Sequence, residues 1–198
     1  MEAIGPESEF SRKTFEGLDG RSQAVLHRSF DECAFIGCKF LEVDFTGSRF
    51  VDCAFLKCDL SLMRIKDCSF INAKFEESKL VGVNWTEALW PEKDSLNSID
   101  FFNCILSQST FSGLKLKKMK LMGCTASDAD FAEADMAQSD CRKTDFSGSR
   151  FMHTDLSGAD FRDAKNYVIH PGLNKLSKAR FSFPEVMSLL FHLDIIIS

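Results

Sequence analysis

Large apolar residues recur along the chain at an interval of five. In the first half these central residues are Phe30, Phe35, Phe40, Phe45, Phe50, Phe55, Leu60, Ile65, Phe70, Phe75, Leu80, Trp85 and Trp90. A helix gives a period of 3.6 and a half-buried strand a period of 2, so neither explains this spacing. The pattern predicts a short structural unit that repeats every five residues.

A second position in each unit is restricted in size. The residue two before most centres is small: Cys33, Cys38, Val43, Ser48, Cys53, Cys58, Cys68, Ala73, Ser78, Val83 and Ala88. Arg28 and Met63 are the exceptions. Each unit therefore turns one large and one small residue inward, while its other three positions are mostly polar.

The five-residue register slips by one residue near the middle of the chain. The later centres are Phe101, Leu106, Phe111, Leu116, Leu121, Ala126, Phe131, Met136, Cys141, Phe146, Phe151, Leu156 and Phe161. The slip lies between Trp90 and Ser95, and Leu96 already fits the second register. The break is either a one-residue bulge or a six-residue loop.

The five-residue spacing is less clear toward both ends of the chain. Phe10 and Phe15 fit the first register, and Leu176 and Phe181 fit the second. Two stretches, 17–27 and 165–174, are predicted to be irregular edges of the array, and in the second of them Asn166 and Pro171 break the apolar pattern but keep the count.

The pattern resembles the pentapeptide-repeat family, whose unit is A-(D/N)-(L/F)-x-x. Residues 154–158 (TDLSG) and 159–163 (ADFRD) are close to that unit. The resemblance implies an all-β fold: a right-handed quadrilateral parallel β-helix with four units to a coil. Residues twenty apart then stack, as the column Phe30, Phe50 and Phe70 suggests. The two registers give about eight coils, across residues 1–181 with the register break near 90–96.

Residues 182–198 form a different segment. Ser182 is a good helix cap, with Pro184 and Glu185 in the first turn, so a short C-terminal α-helix is expected. So much apolar surface on a short tail favours burial against a partner, and the resemblance implies a helix that caps the solenoid and pairs two copies. The expected dimer-interface residues are Phe183, Val186, Met187, Leu190, Phe191 and Ile195.

Composition narrows the environment and the partners. The net charge of −5 disfavours direct nucleic-acid binding, which relies on basic side chains. No run of about 18 apolar residues is present to cross a membrane, and the polar first ten residues do not resemble a signal peptide. Eight cysteines without a signal peptide favour a reducing, cytoplasmic location.

The positions of the cysteines and histidines do not indicate a metal site or a catalytic site. Seven cysteines occupy the small inward position and Cys141 a central one, which is typical of inert core thiols. No C-x-x-C pair occurs, and the four histidines lack ligand spacing. No nucleophile or phosphate-loop motif is present, and a Phe-filled interior leaves no room for a small-molecule substrate. We therefore expect no metal, no cofactor, no catalytic residues and no enzymatic activity.

Acidic residues are frequent in the second half. Residues 126–161 contain eight acidic and three basic side chains. The simpler interpretation is that Asp fills the family position before each centre. The alternative is an acidic face that imitates DNA and attracts a basic groove. Its candidate residues are Asp130, Glu133, Asp135, Asp140, Asp145, Asp155 and Asp160.

The register break is the other candidate site. Loops on a rigid scaffold often carry function, so the break is either a partner-binding loop or a bulge without a role. The loop residues considered are Trp90, Pro91, Glu92, Lys93 and Asp94.

The whole arrangement is similar to the Qnr group of pentapeptide-repeat proteins. That resemblance implies a homodimer that binds a type II topoisomerase, DNA gyrase or topoisomerase IV, and protects it from quinolones. The alternative function is an interaction scaffold or regulatory module that binds an unrelated protein through one flat face.

Overall fold

The chain forms a four-sided parallel β-solenoid. A computed structural model describes residues 4–5, 7–90, 99–192 and 195. Each five-residue unit makes one side, so residues twenty apart pair in parallel: Phe30 with Phe50, and Phe35 with Phe55. Bridges from Lys39 to Asp59 continue the same spacing on a further side. The predicted fold class, with about eight coils, is confirmed.

The strands are short because every unit turns a corner after three or four residues. Their bounds are β1 Glu9–Ser11, β2 Thr14–Glu16, β3 Ser29–Asp31, β4 Ala34–Ile36, β5 Arg49–Val51, β6 Ala54–Leu56, β7 Ser69–Ile71, β8 Ala73–Glu76, β9 Ile99–Phe102, β10 Leu121–Met122, β11 Asp160–Phe161 and β12 Arg180–Phe181. The corners use left-handed backbone, as at Glu32 and Asp52, both with φ of 51°.

Four outer faces follow from this pairing. Face 1 carries β1, β3, β5 and β7, and face 2 carries β2, β4, β6, β8, β9 and β10, with β11 and β12 further along. Face 3 is the column of bridges through Asp19, Lys39 and Asp59, and face 4 the column through Ala24, Asp44 and Arg64. Faces 1 and 2 continue past their strands as isolated bridges, from Lys115 to Asp135 and from Lys120 to Asp140.

The core is a set of stacked aromatic columns. The ring centroids of Phe35 and Phe55 are 4.7 Å apart with planes 5° from parallel, and those of Phe30 and Phe50 are 5.0 Å apart. This spacing matches the strand separation of about 4.7–4.9 Å, so the backbone pairing stacks the rings. Neighbouring columns meet edge to face, as Phe30 and Phe35 do at 5.3 Å. Both arrangements suit the aromatic quadrupole.

The small inward column provides hydrogen bonds as well as packing. The thiol of Cys53 donates to the Phe30 carbonyl oxygen at 3.5 Å, and the Ser78 hydroxyl donates to the Phe55 carbonyl oxygen at 3.2 Å. Both bonds reach back 23 residues into the preceding coil. Thiol and hydroxyl therefore make the same hydrogen bond at equivalent positions of two different units.

The register break is an insertion of six residues. Phe75 pairs with Phe101, and Asn84 with Thr110, so the pairing step rises from 20 to 26. The stack nevertheless continues, with Trp85 and Phe111 rings 5.9 Å apart and 11° from parallel. The step of 26 contradicts a one-residue bulge and agrees with six additional residues. Pro91, Glu92, Lys93 and Asp94 lie outside the described residues.

The two stretches predicted to be irregular behave differently from each other. Residues 17–27 wind regularly, with Gly20 at a central position and Val25 buried at the next, so that prediction is wrong. In 165–174 the winding is altered: Ile169 pairs with Phe151, two residues short of a full coil. Tyr167 and Ile169 are buried there, in place of Asn166 and Pro171.

The described C-terminal segment ends in a short helix, Glu185–His192. It is a 3-10 helix rather than the predicted α-helix, with the Met187 N–H donating to the Pro184 carbonyl at 3.1 Å. Leu189 packs against the end of the solenoid core. No helix among the described residues is long and apolar enough to cross a membrane.

Candidate functional site

The interior of the solenoid is filled, so candidate sites lie on its outer faces and ends. Phe30, Phe50 and Phe101 are completely buried. Among the described residues, no group of three or more His, Cys, Asp or Glu side chains is placed to hold a metal ion. The chemistry of this protein must therefore be sought in the surface columns.

The seven predicted acidic residues do not share one face. Asp135 and Asp155 stack on face 1, Asp140 and Asp160 stack on face 2, and Asp145 lies on face 3. Asp130 lies on face 4, and Glu133 is at the corner that follows it, with φ of 61°. Five residues of chain turn one corner, which separates acids that are close in sequence.

Six of the seven predicted acidic residues are aspartates, and their carboxylates form hydrogen bonds or ion pairs within the chain. Each of the six accepts a hydrogen bond from the backbone N–H two residues later, as Asp145 does from Ser147 at 3.0 Å. Basic side chains neutralise five of them; the pairs are Asp130–Arg150, Asp135–Lys117, Asp140–Arg142, Asp155–Lys175 and Asp160–Arg162. The aspartates therefore stabilise the turns that follow them.

Pairing with arginine lowers the pKa of two of these carboxylates. The side-chain hydrogen bond from Arg142 lowers the pKa of Asp140, and the bond from Arg162 lowers the pKa of Asp160. In both cases partial burial opposes the shift without cancelling it. Asp145 also has a lowered pKa, caused first by the Ser147 hydroxyl and then by the Asn166 amide.

Face 2 carries an outward apolar strip that the sequence did not suggest. The strip is formed by Ile36 and Leu56 and, beyond the exposed Glu76 of β8, by Phe102 and Met122. All four apolar side chains take equivalent outward places and are only half-buried. Arg142 and Arg162 take that place in the last coils. A signal for them was present: the motif Asp-x-Arg occurs at 140–142 and again at 160–162, one coil later.

Trp90 is the one member of the predicted loop that the structure describes. Its indole Nε1 donates to the Trp85 carbonyl oxygen at 2.9 Å, and its ring packs partly against the core. Trp90 is therefore an anchor at the start of the insertion. After Trp90 the described chain resumes at Ile99, on face 2.

The C-terminal end exposes large apolar side chains. Phe183 is 80% exposed and Phe191 77% exposed, and Ile195 is also exposed. Val186, Met187 and Leu190 are half-buried. The predicted dimer residues therefore lie on one terminal segment, with the two phenylalanines turned outward.

Comparison with known proteins agrees with the repeat and the fold. A model of the pentapeptide repeat region matches residues 28–98, and a model of eight pentapeptide repeats matches residues 127–165. The chain is a pentapeptide-repeat protein. No curated protein matches this pentapeptide-repeat protein in sequence.

Solved structures share its architecture. One trypsin-treated form of QnrB1, a plasmid-mediated fluoroquinolone resistance protein, is 19% identical, with a TM-score of 0.74 over 96% of this chain and 100% of that one. Another gives a TM-score of 0.73 at 19% identity, over 96% and 91% of the two chains. HetL, from the cyanobacterium Nostoc and involved in heterocyst differentiation regulation, is 16% identical, with a TM-score of 0.50 over 87% and 82%. At these identities the likeness concerns the fold, which is Qnr-like.

Proposed function

We propose that this pentapeptide-repeat protein is a non-enzymatic, cytoplasmic, protein-binding rod that binds a type II topoisomerase, DNA gyrase or topoisomerase IV, and protects it from quinolones. The observation that carries the proposal is the agreement in architecture with QnrB1, a fluoroquinolone resistance protein, over 96% of the chain. The filled core is consistent with it, because it leaves the outer surface as the place where a partner binds.

Shape supports this proposal better than charge does. A DNA mimic presents carboxylates that are free to meet a basic groove. Here Asp130 is paired with Arg150 on face 4 and Asp155 with Lys175 on face 1, so the acids are spread and largely neutralised. We propose that the principal contact is at residues 91–96 instead, next to the Trp90 anchor, because the pairing step of the described residues rises there from 20 to 26.

A gyrase supercoiling assay with and without ciprofloxacin tests the proposal. The wild-type protein is expected to restore supercoiling in the presence of the drug. A variant lacking residues 91–96 has the coil length restored to twenty residues and is expected to lose the protection while remaining folded. If neither supercoiling nor drug inhibition changes across micromolar protein, the topoisomerase proposal is wrong.

The second candidate is an interaction scaffold for an unrelated protein, and the apolar strip of face 2 favours it. Ile36 and Leu56 lie side by side on the paired strands β4 and β6. A photo-crosslinking residue at position 56 is expected to capture one discrete partner in cells. The control position is Ser61 on face 3, which is similarly exposed but polar. Equal crosslinking at 56 and 61 contradicts a specific face 2 contact.

The exposed C-terminal phenylalanines support the proposed homodimer. Burying Phe191 against a second copy would remove its apolar surface from water, at roughly 25 cal/mol per Å². Light scattering is expected to show a dimer for the wild type and a monomer for Phe191→Glu. Leu26→Glu, at an exposed leucine on face 4 in the first coil, is the matched control and keeps the dimer. A wild-type monomer at all concentrations contradicts this assembly.

A further inference from the structure

Face 2 carries two arginines toward its C-terminal end. Arg142 and Arg162 stack one coil apart there, since the bridge between Asp140 and Asp160 sets their register. They line an open pocket of about 210 Å³. The other lining residues are Met122, Lys143, Asp163 and Ser182.

Each of the two guanidinium groups is held in place by an aspartate of its own unit. Arg142 donates from Nε and Nη2 to Asp140 at 2.8 and 2.7 Å, and Arg162 donates from Nε and Nη2 to Asp160 at 2.9 and 2.6 Å. A guanidinium has five N–H groups. Each arginine therefore keeps three N–H groups for a ligand, two on Nη1 and one on Nη2, on a group whose position is already fixed.

Two further donors complete the pocket. The backbone N–H of Asp163 donates to Ser182 Oγ at 2.8 Å, so the hydroxyl proton of Ser182 is available to another acceptor. Lys143 stands at a corner, and within the described part of the chain its ammonium group has no ion-pair partner. The lining thus has three cationic side chains, one hydroxyl and one opposing carboxylate, that of Asp163.

We propose that this pocket binds a phosphate oxyanion, either free inorganic phosphate or the phosphate group of a small monoester. The pocket offers hydrogen-bond donors from two arginines, an ammonium group and a hydroxyl, which is more than a planar carboxylate can accept at once. A tetrahedral phosphate has acceptor oxygens in several directions and can use more of them. The volume is below the roughly 300–1,000 Å³ of pockets that enclose drug-sized ligands. A small anion fits it better than a nucleotide does.

Isothermal titration with inorganic phosphate in a chloride buffer tests the site on the full chain. The wild type is expected to bind. Lys143→Gln is expected to bind roughly tenfold more weakly or worse, because it removes one charge-assisted hydrogen bond. Lys143 supports no other described side chain, so its replacement is expected to leave the fold intact, and Arg162→Gln provides an independent second variant.

Arg150→Gln is the matched control. Arg150 also holds its partner through Nε and Nη2, at 3.0 and 2.6 Å from Asp130, but it lies on face 4 and does not line this pocket. This variant is expected to bind phosphate like the wild type. Displacement of bound phosphate by glycerol phosphate supports a monoester ligand, and failure to displace it supports the free ion. Absence of binding by the wild type, or equal binding by Lys143→Gln, overturns the proposal.

Discussion

Phe40 lies directly against Gly20, and a Cβ added to Gly20 would come within 2.9 Å of Phe40 Cδ1. Gly20 occupies a central position of face 3, where the following coils carry Phe40 and Leu60. The ring of Phe40 therefore fills space that a larger residue would occupy in a regular column.

Gly20→Ala is expected to destabilise the protein by about 1–3 kcal/mol, because the new methyl group overpacks this contact. Chemical denaturation measures the change. Gly172→Ala is the control, since its Cβ would meet only the His170 side chain, at 3.2 Å. Stability equal to the wild type for Gly20→Ala would show that the Phe40 ring moves freely, contrary to this interpretation.

Deleting residues 91–96 is expected to leave the free energy of unfolding within about 1 kcal/mol of the wild type, since shortening a loop changes its closure entropy little. The deletion returns the pairing step from 26 to 20 and brings Trp90 to the central position of the second register. Urea unfolding measures it.

A six-residue deletion inside a regular coil, 126–131, provides the contrast. It moves each later centre off its column, so cooperative unfolding is expected to be lost. If the 91–96 deletion behaves in the same way, those residues are part of the core rather than an insertion.

The eight cysteines are expected to be unreactive in the folded protein. All eight are free and buried, and burial raises the pKa of Cys53 and of Cys68 to about 12. A colorimetric thiol reagent should modify them only after denaturant is added. Rapid modification of any thiol under native conditions would contradict the buried column.

Stability is expected to fall as the pH drops below about 4, the ordinary range for aspartate. Asp140 and Asp160 have folded-state pKa values lowered by Arg142 and Arg162, so their contribution is complete above the unfolded pKa and is lost as the pH falls through the folded one. Both arginines are exposed to solvent, so screening keeps the contribution of each pair small.

Thermal unfolding at pH 3 and pH 6 in phosphate-free buffer measures this loss. Arg142→Met combined with Arg162→Met is expected to reduce the difference between the two pH values. An unchanged difference in the double variant would assign the acid sensitivity to other carboxylates.

The five-residue spacing predicts the core wherever each unit has a large centre, as at Phe30 and Phe50. It fails at Gly20, because a neighbouring ring fills the space and no apolar residue marks the position. It fails again at Tyr167 and Ile169, where altered winding brings residues from other places in the unit inward. Trp90 and Leu96 each satisfy one register, so spacing alone does not choose between a bulge and a loop.

The arrangement of surface charges is harder to predict from the sequence than the composition of the core. Asp130 and Asp135 are neighbours in the chain but lie on faces 4 and 1. The basic partners of the acidic residues lie at different distances along the chain: Arg142 is two residues from Asp140, Lys117 eighteen from Asp135, and Arg150 twenty from Asp130. A linear charge count therefore overstates the acidity that a partner meets.

The twenty-residue pairing step also determines how this chain can fold. The backbone hydrogen bonds of Phe40 and Phe45 reach Asp59 and Arg64, nineteen residues further on. The backbone hydrogen bonds of a coil need only the next coil as partner. Winding can therefore begin on the ribosome and follow synthesis from the N-terminus. Because each coil pairs only with its neighbours, winding can also start in any later coil and propagate from there.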